Sequence, residues 1–423
     1  MKIVIYWEQA SWGGTDTFLL SLLRDWPQQK DQFLLIHNRG NKGFARIEPQ
    51  LSRLPNVRCL EITSLMHNEA LVDPVNAGLA GRILRGARYL LRPLLFYAMI
   101  DRLTRLLKRE GTFDALLSNN GGYPAAWGCL SAILAADRAG IPVRVLVVHH
   151  AATRDAVFLG WFERLVDRTI SRVASAIVCV SYATRQTLID RRWLFADEQL
   201  HMRVIYNGIN SSRTSPDAAV DLRGKIGAAE EAILIGIVGR VEPYKGHEDV
   251  ILAMARVNSP QAGRIHLVVI GAGDPKELER LSRLAKVAGV SGRVSLIGYM
   301  PGEISEIICR LDLLIVATRS FEGFGLTLAE AMQVGTPVLA TRVGAIPEFV
   351  DDQVGKLVPP GSPQDMADAL TDFLDNHPAW ELRARLAQQR IVKFSSVHMA
   401  EEYRRFLVER LACQTDMTLD AEE

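Results

Sequence analysis

Short runs of Val, Ile and Leu recur along this chain, each followed by a longer helical pattern. In the first half they are Lys2–Trp7, Phe33–His37, Val57–Ile62, Ala115–Ser118, Val143–His149 and Ala176–Ser181. In the second half they are Ile233–Gly239, Ile265–Gly271, Val294–Ile297, Leu313–Val316 and Val338–Ala340. Runs of this kind fit strands buried on both faces of a parallel sheet. Parallel strands need crossover connections, and the helical stretches between the runs supply them as βαβ units. The expected fold class is α/β, with two doubly wound, Rossmann-like domains. Ligands of such sheets bind beyond the carboxyl ends of the strands. Two such domains are therefore expected to face each other across a cleft.

A chain of 423 residues also favours two domains, because cores tend to split beyond roughly 250–300 residues. The expected division is 1–206 and 207–394, with a C-terminal helix at about 395–412 packing back on the first domain. The turn-rich segment from Asn207 to Ser212 reads as the hinge. The longest stretch without a charge, Ala115–Ala136, contains Asn119, Asn120, Gly121, Gly122 and Pro124. That is a strand, a turn and a helix, not a membrane span. The apolar run Ile3–Trp7 meets Glu8 at once, too short for a signal sequence. The five cysteines lie far apart with no CxxC pair, which supports neither a zinc ribbon nor a disulfide framework. Reduced thiols and a cytoplasmic location are the expectation.

Four loops at strand ends carry chemistry. Gly13 and Gly14, in the segment Trp12–Thr17, follow the first strand and precede a helix. They form either an anion site or a plain tight turn; no GxGxxG fingerprint is present. Gly239–Gly246 follows the strand at Ile233 and holds Arg240 and Lys245 in one short loop before a helix. Two fixed cations and a helix N-terminus suit a diphosphate. Gly271 and Gly273 mark a close backbone approach or a turn. The segment Glu322–Glu330 is the sharpest signal. Glu322 falls in a glycine loop and Glu330 about two turns into the following helix, so the two carboxylates are expected to do different work. Carboxylates accept hydrogen bonds from vicinal hydroxyls, which suits a sugar and a ribose, and the amides near Gly325 can receive a phosphate.

At these residues the sequence resembles the family-4 retaining glycosyltransferases with the glycosyltransferase-B fold. The resemblance is carried by Gly239-Arg240…Lys245-Gly246 and Glu322…Glu330. Leu267–Gly273, Arg293–Tyr299, Gly335–Val338, Gly344–Glu348 and Gly355–Val358 continue it. It is close over 203–370. In the N-terminal half it is looser, through Gly13-Gly14, a His after Val148, and Val180-Ser181. The resemblance implies that Arg240 and Lys245 bind the diphosphate of a nucleotide-sugar donor, and that Glu330 holds the ribose. It assigns Glu322 to the donor sugar, with backbone help from Gly323, Phe324, Gly325 and Leu326. Main chain at Tyr299 and Met300 would line the base pocket, and Gly14 would lie against the phosphates. A functional His is implied, and either His149 or His150 can fill that place. Many relatives carry an acid just after the first glycine pair, and Asp16 stands in about that position.

The expected reaction is transfer of the sugar to a hydroxyl of a glycan or lipid-linked acceptor, in surface-polysaccharide assembly such as lipopolysaccharide, capsule or exopolysaccharide. Fixed cations can serve the leaving diphosphate, so no metal and no cofactor are expected. No nucleic-acid partner is expected either. A nucleotide-sugar epimerase or a phosphorylase on the same fold, and a non-catalytic binding scaffold, are the competing readings.

The net charge of +1 conceals an asymmetry. Up to Tyr206 there are 26 Lys+Arg against 18 Asp+Glu, and after it 23 against 30. Arg82, Arg85, Arg88 and Arg92 fall on one helical face, and 81–110 holds eight basic and two acidic residues. Either this is an ordinary surface helix pair, or it rests on the anionic inner face of a membrane.

Overall fold

The computed structural model describes residues 1–10, 13–66, 79–192, 201–210, 220–300 and 304–419, with backbone only for 79–82, 84–85 and 415–419. Trp12, Ser211 and Ser212, and the side chains of Arg82 and Arg85, lie outside the described residues. The chain forms two compact units. One is Met1–Gly208 together with Ser396–Glu423, and the other is Ile209–Ser395.

The first unit holds a sheet of seven strands: β1 (Lys2–Trp7), β2 (Gln32–Asn38), β3 (Val57–Ile62), β4 (Ala115–Gly122), β5 (Val143–His150), β6 (Ala176–Cys179) and β7 (Met202–Val204). All pair in parallel, in the order β3-β2-β1-β4-β5-β6-β7. Strand β1 shows why the apolar runs do not alternate. Val4 and Tyr6 pack into one core with Phe96, Met99 and Leu103 of helix Arg92–Glu110. Ile3 and Ile5 pack into the other core with Phe18, Leu19 and Leu22 of helix Gly14–Arg24. Met399, Tyr403, Phe406 and Leu407 of helix Ser396–Leu419 complete that second core. Each fully buried aliphatic or aromatic side chain contributes about 1.5–3 kcal/mol, so a polar residue is costly on either face.

The second unit holds β8 (Ile233–Val238), β9 (Ile265–Ile270), β10 (Val294–Gly298), β11 (Leu313–Val316), β12 (Val338–Thr341) and β13 (Lys356–Val358). They are parallel and ordered β10-β9-β8-β11-β12-β13. This is the doubly wound order, in which the winding reverses beside the first strand. The reversal falls between β1 and β4 in one unit and between β8 and β11 in the other. The edge strands β7 and β13 were not expected from the sequence. Ser181, read as the end of a strand, instead caps helix Tyr182–Arg191, its side chain accepting from the Thr184 N–H.

Candidate functional site

The loops that leave β8 and β11 flank the switch point of the second sheet, and the sequence-predicted cations and acid lie on them. Lys245 Nζ donates to Glu322 Oε2 at 2.7 Å, and Thr318 Oγ1 donates to the same oxygen at 3.1 Å. Arg240 donates to Glu242 Oε1 at 2.8 Å and to the Tyr244 hydroxyl oxygen at 3.4 Å. Burial pushes the Tyr244 phenol well up, with Glu242 adding to the effect, so it stays protonated. One short loop thus presents two cations, each held by an acid of its own unit.

Gly246 explains how the two loops come so close. Its φ is +71°, and a Cβ there would run into the Ala317 carbonyl oxygen. The next residue opens helix His247–Met254. That helix is fixed from its first turn by Arg319, whose Nε donates to Asp249 at 2.7 Å and whose backbone N–H donates to the Tyr244 carbonyl at 2.7 Å. Arg280 joins the same network through Glu248 and Glu277. His247 is buried, and burial pulls it down to about 4, so it is neutral at ordinary pH.

The sheet's hydrogen bonds run on past the strand ends. Gly239 N–H donates to Ile270 O at 2.9 Å, Val241 N–H to Ala272 O at 2.8 Å and Gly271 N–H to Gly298 O at 2.8 Å. This sets the loops of Gly239, Gly271–Gly273 and Tyr299 side by side. The Tyr299 ring is half exposed and Met300 is buried. At Gly271, φ is +153° and a Cβ would strike the Gly239 carbonyl oxygen.

Gly323, Phe324 and Gly325 are buried, with Phe324 stacked on Phe349 at 5.2 Å. Gly325 N-caps helix Leu326–Val334. Glu330 is therefore the fifth residue of that helix, little more than one turn in. This is shallower than the two turns expected from the sequence, because the helix starts only at Leu326, after the glycine loop. Among the described residues, no group of three or more His, Cys, Asp or Glu converges as metal ligands.

In the first unit, the Gly13 N–H donates to Asp16 Oδ1 at 2.7 Å, so the first turn of helix Gly14–Arg24 is capped by its own acid. Asp16 is buried, and burial raises its pKa, while the Gly13 N–H and Arg46, 3.4 Å away, act in the opposite sense. His149 and His150 separate as β-strand alternation requires. His149 is buried edge-on against Phe18, with ring centroids 4.5 Å apart, and its Nε2 lies 2.6 Å from Asn119 Oδ1. Burial pulls it down to about 3, so the ring is neutral at ordinary pH. His150 is exposed.

The structure brings Arg240, Lys245, Gly239, Gly271, Gly273 and Glu322–Leu326 together at the carboxyl ends of β8, β9 and β11. Sequence reasoning missed Thr318, Glu242, Tyr244 and Arg319. Arg319 and Glu242 lie inside or beside motifs already quoted, and their charge was the available signal.

Known families match both units. Residues 12–213 match the model for Glycosyltransferase Family 4, and residues 220–391 match that for Glycosyl transferases group 1. The chain belongs to the family-4 glycosyltransferases with the glycosyltransferase-B fold. A D-inositol 3-phosphate glycosyltransferase of Saccharomonospora viridis is 29% identical over 278 residues, covering 62% of this chain and 63% of the relative. One of the same name from Streptosporangium roseum is 31% identical over 263 residues, covering 58% and 59%. These matches span less than two thirds of either relative's length. Among solved structures, Anabaena HepE in complex with UDP and glucose superposes with a TM-score of 0.72 at 21% identity, over 97% of this chain and 100% of that one.

Proposed function

We propose that this chain transfers a sugar, with retention of anomeric configuration, from a nucleotide-sugar donor to a hydroxyl of a glycan or lipid-linked acceptor in surface-polysaccharide assembly. The observation that carries the reading is the convergence of Arg240, Lys245 and Glu322 at the switch point of the second sheet. That HepE was crystallised with UDP and glucose supports a nucleoside diphosphate as the leaving group.

Breaking the bond from the anomeric carbon to phosphate leaves negative charge on the diphosphate. Preorganised cations stabilise that charge most where they need not move, which is the main catalytic lever in many enzymes. Lys245, Arg240 and the N–H groups opening helix Leu326–Val334 fill this role, and no metal is required. Glu322 accepts from the donor sugar's hydroxyls and Glu330 from the ribose. Phe324 and Gly325 contribute main-chain amides, and the main chain at Tyr299 and Met300 lines the base. The acceptor oxygen bonds the anomeric carbon on the face the diphosphate leaves, and the departing phosphate oxygen takes the acceptor's proton. Neutral His149 offers a hydrogen bond rather than a charge. The acceptor side falls to the first unit, whose basic segment 81–110 rests on an anionic membrane surface. Among the described residues no helix is long and apolar enough to cross a membrane.

The test is incubation with a panel of nucleotide sugars. Slow release of free nucleoside diphosphate, quickened by a glycan acceptor, is the expected result. Interconversion of the sugars without release would instead establish an epimerase, and binding without turnover a scaffold.

A further inference from the structure

The first unit holds an apolar projection that the transferase reading leaves unused. Val157 and Phe158, on the loop after β5, are 92% and 78% exposed, and Trp161 at the start of helix Gly160–Val173 is 63% exposed. Leu94, at the start of helix Arg92–Glu110, is 69% exposed. The two helix starts are packed together. Phe96 and Phe162 lie 5.6 Å apart edge-to-face, and Arg92 reaches Glu163 at 3.6 Å. Leu94, Tyr97, Phe158 and Trp161 therefore crown one region of the unit.

The loop is fastened there. The Ala156 N–H donates to Glu163 at 3.1 Å, Thr153 N–H to the Tyr123 carbonyl at 2.8 Å and Ala152 N–H to Thr187 at 3.0 Å. Asp155 pairs with Arg192, which is fully buried and also bonds Glu163 at 2.8 Å and Asp167 at 3.4 Å. A buried ion network has a high desolvation cost. Here it holds large apolar side chains out in water, where folding alone gives no reason for them.

Charge indicates the occupant. Along helix Gly160–Val173 the exposed positions are Trp161, Arg164, Leu165, Arg168 and Arg172, and both acids, Glu163 and Asp167, are buried. Helix Arg92–Glu110 repeats the order. Leu94 and Tyr97 are exposed at its start, and Arg102, Arg105, Lys108 and Arg109 are exposed further on, with Asp101 the one exposed acid among them. Two helices, each with an apolar aromatic start and a cationic remainder, match the depth profile of an anionic bilayer surface. Of the expected 81–110 arginines, Arg88 is held by the Leu65 carbonyl and Arg92 is stacked over Tyr89 and Trp127, so neither projects freely.

We infer that this face docks on an anionic lipid surface by inserting Phe158, Trp161 and Leu94 among the headgroups, with Arg168 on the phosphates, while Arg164 is held by Asp155 at 2.7 Å. The inference deepens the membrane part of the proposed function by assigning an apolar insertion that charge alone does not provide.

The experiment is vesicle flotation of the whole chain with phosphatidylcholine, and with phosphatidylcholine–phosphatidylglycerol, at low and high salt. Wild type is expected to float with the anionic vesicles and to keep part of that binding at high salt. Phe158→Ser with Trp161→Ser is expected to bind about tenfold or more weakly at either salt. Its thermal shift with UDP, which reports the fold and the other unit, is expected to be unchanged. Vesicle binding unchanged in the double variant overturns the inference. So does flotation with neither vesicle while UDP still stabilises the protein, an outcome that leaves the transferase reading intact. A wild-type dimer that the double variant dissolves, with no flotation, also overturns it and makes this face a contact between copies.

Discussion

Lys245 and Glu322, 77 positions apart in the chain, meet at 2.7 Å between the loops that leave β8 and β11. Their side chains are 24% and 18% exposed. A pair this open to water contributes on the order of 0–1 kcal/mol to stability, so its importance lies in what it positions. Lys245→Ala, Arg240→Ala and Glu322→Gln are each expected to lower turnover by about a hundredfold or more with melting temperatures close to wild type. Initial rates with a cognate donor check this, and near-normal turnover in all three variants removes the assignment.

Gly246→Ala tests the close approach of the same loops. The substitution places a side chain at φ +71° and against the Ala317 carbonyl. Strain of this kind costs about 1–3 kcal/mol. A lower urea midpoint, with a larger loss of donor binding than of stability, is expected. An unchanged midpoint would show that the loops can separate freely.

His149 ties stability to pH. Its folded value is about 3 against 6.5 for the free side chain, because burial opposes the charge. As pH falls below 6.5 the unfolded chain takes up a proton that the folded chain refuses until about pH 3. Stability is therefore lost on acidification across that window. Asp167, pushed up to about 6 by burial, works the other way between pH 3.8 and 6. The difference between wild type and His149→Asn in urea melts at a series of pH values isolates the histidine. The variant is expected to lose less stability between pH 6.5 and 4. Parallel curves would mean that His149 takes up its proton in the folded state as readily as in the unfolded one.

Excess chelator is expected to leave transfer intact, because Arg240, Lys245 and a helix N-terminus already meet the diphosphate's charge. Loss of transfer in chelator, restored by Mg²⁺ or Mn²⁺, would assign the leaving group to a metal.

Periodicity made the fold readable wherever a strand is covered on both faces. Val4 and Ile5 must both be apolar because each meets a different core. The three-residue edge strands Met202–Val204 and Lys356–Val358 escaped because so short a run carries no period. The glycine loops were readable because a strand end followed by Gly has few other uses. The partnerships were not. Nothing local in the sequence says that Lys245 answers Glu322, or that Arg319 anchors the helix at Asp249 70 residues away. Nor does it say that His149 rather than His150 turns inward. Those depend on register, and register emerges only when the whole sheet is assembled.

The first unit is discontinuous in sequence: its second core, built on Ile3, Ile5 and Phe18, is closed by Met399, Tyr403 and Phe406. On a ribosome the strands around β1 emerge early, yet the helix that seals them follows only after the entire second unit has been made. During synthesis the second unit is thus free to fold to completion while the first waits with an open apolar flank. That interval is when a chaperone has most to protect, and a stop codon placed just before Ser396 would make it permanent.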